Sequence, residues 1–192
     1  MATNWGLGGL ATFVPTSHAN VYPAIDPASV KVPQHSVVCV VGASRGIGAG
    51  IARGYAKASA TSLELASRRT SGLEATAASC KQLNPNVEIE IVECDITSAS
   101  SVSELAKRIK AQFGRLDVVV VNSGVSGPVI PKLTDTDPAT FQHAINVNYT
   151  GLFLSAKYLL PILLGTQDGA KNFITVSSFA ALIVRGLSLI HI

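Results

Sequence analysis

The residues best placed to do chemistry are Gly42-Ala43-Ser44-Arg45-Gly46-Ile47-Gly48, which follow the apolar run Val37-Val38-Cys39-Val40-Val41. A β-branched run that ends at glycine and gives way to a helical pattern reads as a strand, a tight turn and a helix N-terminus. At such a junction free backbone N–H groups and the helix dipole hold a phosphate. Gly42 would make the turn, Gly46 would let backbone approach a pyrophosphate, and Gly48 would let the helix lie close to the sheet. Ser44, Arg45 and Ile47 complete the candidate cradle. Its G-x-x-x-G-x-G spacing departs from the general G-x-G-x-x-G dinucleotide fingerprint. Alone, the turn also fits a structural loop.

Two further groups of polar residues stand at strand ends. Ser67-Arg68-Arg69 closes the second apolar segment with two cations and no acid. Guanidinium groups there offer forked, charge-assisted contacts to phosphate, the alternative being solvated surface arginines. Asp95, in Cys94-Asp95-Ile96-Thr97, follows the third strand and could contact a ligand or cap a helix. Cys39, Cys80 and Cys94 are widely spaced, and His18, His35, His143 and His191 are scattered, so no metal site is expected.

The elements that must position these groups alternate strand and helix. Strands are expected over 36–41, 62–66, 87–91, 116–121 and 172–177. The first helix should turn Ile47, Ile51, Tyr55 and Ala58 toward the sheet. A second helix should run from about Gly72 to Leu83, stopped near Pro85. The third strand alternates apolar and acidic residues, as an edge strand would. Ser101-x-x-Glu104 reads as a capping box, and Val102, Leu105, Ala106, Ile109 and Phe113 form a stripe that ends at Gly114. Asp137-Pro138 reads as the start of a helix with Phe141, Ile145, Asn148, Leu152, Ala156 and Leu159 on one face. This alternation predicts an α/β doubly wound parallel sheet with helices on both faces.

Composition agrees with that class. The 192 residues are 47% hydrophobic and only 14% charged, which fits a sheet buried on both faces and equally a piece whose covering surface is elsewhere. A net charge of +3, with no basic cluster, argues against nucleic acid. Neither a secretory leader nor some twenty uninterrupted apolar residues is visible, so no membrane partner and a cytoplasmic location are expected. Residues 1–33, with Pro15, Pro23, Pro27 and Pro33, form an expected irregular arm. A nucleotide-binding domain follows over 34–186 and an atypical tail over 187–192.

From about Ser36 to Ala181 the chain resembles the short-chain dehydrogenase/reductase family, whose cofactor turn is G-x-x-x-G-[IL]-G. The resemblance implies a Rossmann fold and a carbonyl–alcohol oxidoreductase that uses a nicotinamide dinucleotide. Arg45, Arg68 and Arg69, with no acid after the second strand, imply NADP(H) in preference to NAD. Asp95 matches the family residue that contacts the adenine amino group. Val121-Asn122-Ser123-Gly124 is similar to the family's N-N-A-G, with Asn122 and Gly124 in register and two substitutions. Asn148 falls where the family holds a water of its proton relay, and Ser178 where it has the serine that hydrogen-bonds the substrate.

The resemblance breaks down in the proton-transfer pair. The family uses a Tyr with a Lys four residues on, the cation drawing the phenol toward working pH. Here Tyr22, Tyr55, Tyr149 and Tyr158 are followed at that spacing by Asp26, Ser59, Phe153 and Ile162. The pair is due near position 191, where His191 stands. The tail does not match the family, which points to a frame change, intron read-through or non-native junction after about Arg185. Expected, then, is a C-terminally truncated family member that turns over a small carbonyl or alcohol poorly or not at all. The full-length form would be a homo-oligomer. The alternatives are a non-catalytic NADP-binding or subunit-binding module, and a chain that does not fold stably.

Overall fold

The computed structural model describes residues 20–125 and 133–178. His191, the 187–192 tail, the sequence after Ser178 and most of the N-terminal arm lie outside these residues. Five strands, β1 (Val37–Val41), β2 (Ser62–Ser67), β3 (Glu88–Glu93), β4 (Val118–Val121) and β5 (Asn172–Thr175), form one parallel sheet in the order β3-β2-β1-β4-β5. The helices are α1 (Gly46–Lys57), α2 (Thr70–Leu83), α3 (Ala99–Phe113), α4 (Pro138–Ile145) and α5 (Gly151–Gly165). The expected doubly wound α/β architecture is therefore present.

Strict alternation in the central strands splits the core in two. Val38, Val40, Leu63, Leu65, Val118 and Val120 pack with Ala52, Ala56 and Leu73 on the α1–α2 side. Cys39, Val41, Val119 and Val121 face Leu105, Ile109, Leu159 and Leu163 on the α3–α5 side. Valine on both faces of β1 and β4 suits strands covered twice. β3 is an edge, with Glu88 and Glu93 exposed.

Three local expectations need correction. On α1 the buried residues are Gly48, Ala49, Ala52 and Ala56; Ile51 and Tyr55 pack half-buried against the core and Ala58 just past the helix is buried, as expected, but Ile47 is 66% exposed. The helix lies too close to the sheet for an isoleucine to fit between them. On the long helix the buried line is Ala144, Val147, Gly151, Leu154, Ser155, Leu159 and Leu163, one strip over from the expected one. There a π-helical turn over Asn146–Thr150 joins α4 to α5 and resets the period. The third correction concerns α3, which is capped by Ser98, whose side chain accepts from the Ser101 N–H. Glu104 instead lies near Lys107 and Arg108. Gly114 ends α3 in the left-handed region at φ 67°, and Asp137 caps α4 by accepting from Thr140 N–H at 2.9 Å, both as expected.

The 28 residues from Pro138 to Gly165 are long and apolar enough to cross a membrane by length and composition. Here Leu154, Leu159 and Leu163 seat that segment on the sheet. The described part of the arm leans on the end of α1: Val32 N–H donates to Ala58 O at 3.0 Å, and Lys31 Nζ to Lys57 O at 2.9 Å.

Glu64 breaks the apolar pattern. It sits on β2 between Cys39 of β1 and Glu90 of β3, is fully buried, and neither carboxyl oxygen has a hydrogen-bond partner among the described residues. Burial, aided by Glu90 and opposed by Arg108, pushes its carboxyl from 4.5 to about 8. The folded state thus holds this proton more tightly than the unfolded chain, so Glu64 costs stability as pH rises from 4.5 to about 8. Glu64→Gln should remove that slope. Its gain over the parent should grow across this window to a few kcal/mol, on the order of 1.4 kcal/mol per unit. Urea unfolding at several pH values measures it; parallel stability curves would refute the assignment.

Candidate functional site

The C-terminal ends of the strands surround a cavity of about 450 Å³. One wall is the β1–α1 turn, with Gly42, Ser44, Arg45, Gly46 and Ile47. A second is the end of β2, with Arg68 and Arg69, and a third carries Asp95, Asn122 and Gly124. Of the candidate nucleotide-binding residues only Gly48 is not on the lining. It lies behind the turn: a Cβ there would sit 2.1 Å from Gly42 O and 2.6 Å from Asn122 Nδ2.

Gly42 is held at φ +92°, where a side chain would also strike Ser123. Its N–H donates to Ala66 O at 2.7 Å, and its carbonyl accepts from Asn122 Nδ2 at 3.1 Å. Asn122 thus fixes the turn through its side chain. Gly46, at φ +57°, has nothing within 4 Å of where a Cβ would stand, leaving open space at the start of α1.

The helix ends around this cavity differ from the others. Ser98 and Asp137 cap α3 and α4 with side-chain oxygens. At α1 and α2 the N-cap residues are Arg45 and Arg69, and neither end has a side-chain cap. A cation at the positive end of a helix dipole is unfavourable unless an anion joins it. Both arginines line the cavity, so its chemistry is that of a receptor for more than one phosphate. A dinucleotide fits this donor set and the open face at Gly46.

Asp95 lies opposite. Its Oδ1 accepts from Thr97 N–H at 2.9 Å and Thr97 Oγ1 at 2.8 Å, and its own N–H donates to Ser101 Oγ at 3.0 Å. Asp95 therefore makes a turn before α3 and is not its cap. The Thr97 N–H, with smaller help from Arg68 and His143, holds its carboxyl below the usual range. Cys94 also lines the cavity, but burial raises its thiol, so it stays protonated.

With this geometry in view, the similarities are informative. The sequence model of the short chain dehydrogenase family matches residues 36–187. The chain belongs to that family. It is 32% identical over 187 residues to the short chain dehydrogenase pgmD of Aspergillus terreus, covering 93% of this chain and 58% of that protein. It is 34% identical over 178 residues to the short chain dehydrogenase mpl6 of Monascus purpureus, covering 91% and 59%. Among solved structures it is similar to an alcohol dehydrogenase of the archaeon Thermococcus sibiricus complexed with 5-hydroxy-NADP. That match has a TM-score of 0.68 and 31% identity, over 78% of this chain and 61% of that one. The chain thus spans about 60% of the length of such relatives.

The family's reacting residues are distributed differently from its cofactor residues. Asn148 sits in the π-helical turn and is not on the cavity wall. Its Oδ1 accepts from Val125 N–H and its Nδ2 donates to Val125 O, both at 2.9 Å. The side chain is a clamp on the loop after β4, which bears Gly124. Ser178 lies two residues past Val176, whose N–H extends the β5 pairing to Val121 O at 2.9 Å. It is half-buried and also off the lining.

Sequence reasoning missed Ser123, Val125 and Val147 on the lining, and Gly72 and Thr76 behind it. Small and apolar residues at loop ends carry no chemical signature. The close approach at Gly48 can be tested against a control on the same helix. Gly48→Ala should displace the turn and weaken nucleotide binding at least tenfold, about 1.4 kcal/mol. Gly54→Ala, with nothing within 4 Å, should leave binding intact and stabilise α1 by about 0.5–1 kcal/mol. Calorimetric titration and thermal melts of the two variants check both halves.

Asn148→Ala, in turn, should leave both Val125 backbone groups without their partner. The expected loss is about 1–3 kcal/mol of stability with faster hydrogen exchange at the Val125 amide.

Proposed function

We propose that this protein binds NADP(H) and belongs to an oxidoreductase that interconverts a small carbonyl and its alcohol by hydride transfer. The observation that carries the cofactor choice is the meeting of Arg45, Arg68 and Arg69 on one cavity, with no acid at the end of β2. The turn and the start of α1 would hold the pyrophosphate, and the arginines the ribose 2′-phosphate. An acid accepting the 2′-hydroxyl would be needed for a preference for NAD. That the similar archaeal alcohol dehydrogenase was solved with an NADP derivative agrees with this reading.

The bound nicotinamide would supply or accept the hydride. Ser178 would hydrogen-bond the substrate oxygen. Asn148 would act through Val125, keeping the loop after β4 against the cofactor. No Tyr-x-x-x-Lys occurs in the 192 residues, and no other group in the described site pairs a proton donor with a cation to tune it. We therefore assign this chain weak turnover at most. A cytoplasmic location agrees with three free, buried cysteines.

Titrating NADPH and NADH into the protein tests the cofactor choice. NADPH should bind more tightly, and Arg68→Ala or Arg69→Ala should reduce NADPH affinity about 10- to 100-fold with little change for NADH. Equal affinity for the two would overturn the choice. Mixing NADPH with aldehydes and ketones should give turnover far below the roughly 10 per second of an ordinary enzyme. Rates near that value would refute the incomplete site.

A further inference from the structure

Gly72 and Thr76 stand four residues apart on one face of α2, and both meet the backbone of the β1–α1 turn. A Cβ on Gly72 would lie 2.6 Å from Ser44 O and 2.9 Å from Ser44 Cβ, so only glycine lets α2 come this close. Thr76, 3% exposed, donates from Oγ1 to Ala43 O at 3.0 Å, and the same hydroxyl lies 3.1 Å from Gly72 O. The second contact is the ordinary one for a helical threonine. The first crosses to another element.

These contacts lie between the two cationic edges of the cavity. Ser44 immediately precedes Arg45, the N-cap of α1. Arg69 is the N-cap of α2, one turn before Gly72. From the sheet side, Ala66 O receives both Gly42 N–H and Ala43 N–H, at 2.7 and 3.2 Å. Behind the arginines, then, the turn is held by the end of β2 below and by α2 alongside. A phosphate shared by guanidinium groups from two loops needs a fixed distance between them, because long side chains lose entropy when they must reach.

We propose that Gly72 and Thr76 are positioning residues for cofactor selectivity: they lock α2 to the phosphate turn, so that Arg45 and Arg68–Arg69 converge on one 2′-phosphate. Neither residue touches the ligand. The inference rests on the NADP reading above and adds to it the part of the fold that sets the spacing.

The probes are 2′,5′-ADP, which carries the extra phosphate, and 5′-AMP, which lacks it, titrated calorimetrically into the protein. Thr76→Val keeps the side-chain shape and removes the cross-element bond. It should weaken 2′,5′-ADP about tenfold while changing 5′-AMP less than about twofold. Thr76→Ser should restore the parent selectivity. Gly72→Ala should reproduce the loss through displacement at Ser44, and it keeps the test open if Thr76→Val does not fold. Equal weakening of both probes would mean that the contact only supports the turn, and no weakening would mean that it sets nothing. Either result overturns the inference while leaving the NADP reading intact. A parent protein that binds both probes alike would overturn the reading itself, and this inference with it.

Discussion

The structure depends most on how closely α1 approaches the end of β1. With Gly48 against Gly42 O, the helix has no room for a side chain at its first turn. The buried residues of α1 are correspondingly small: Gly48, Ala49, Ala52 and Ala56. The approach brings the helix N-terminus over the strand ends, where β2 holds the turn through Ala66 O and β4 holds it through Asn122. One backbone turn is thereby tied to three strands. Its N–H groups are fixed before any ligand arrives, which reduces the ordering cost of binding.

The opposite end of the sheet is held by charge. Asp117, 2% exposed, accepts from Val37 N–H at 2.8 Å and from Arg115 Nε and a terminal guanidinium nitrogen at 3.0 and 2.6 Å. Its backbone pairs with Val37 O and with the Asn172 N–H. Through side chain and backbone together, Asp117 joins the starts of β1, β4 and β5, while Thr166 Oγ1 accepts from Leu116 N–H beside it. Glu64 is also fully enclosed and has no such partners among the described residues. The contrast lies in partners: Asp117 has its hydrogen bonds filled, whereas burial without them pushes the Glu64 carboxyl toward its neutral form.

Much of this was legible in the sequence because strand faces, turn glycines and caps leave local signatures. Valine-rich runs marked β1 and β4, Asp137-Pro138 marked α4, and Gly114 marked the end of α3. The arginine pair after β2 and the glycine turn identified the cavity walls before any geometry. What stayed hidden was closeness. Hydrophobic periodicity weights Ile47 and Leu152 above Gly48 and Gly151, yet the small residues face inward. A Cβ on Gly151 would lie 2.9 Å from Ile96, the same constraint as at Gly48. The choice between Ser98 and Ser101 was equally invisible, since Ser101 is drawn away to hold the Asp95 N–H. Gly72 was legible only as the approximate start of α2, because its partner, Ser44, is 28 positions away.

The distribution of the site along the chain separates binding from reaction. Among the described residues, and apart from Val147, the cavity wall is built between Gly42 and Val125, from the first four strands and the loops that leave them. Those loops are held by contacts within the same span, with Asn148 and its clamp on Val125 as the main addition from beyond it. Asn148 and Ser178, the residues to which the family resemblance gives a part in the reaction, come later and are not among the described residues of that wall. A nucleotide could therefore be held by residues that make no demand on the proton-transfer machinery. The Thr76–Ala43 bond belongs to the same span, tying α2 to the turn with no residue from beyond β4.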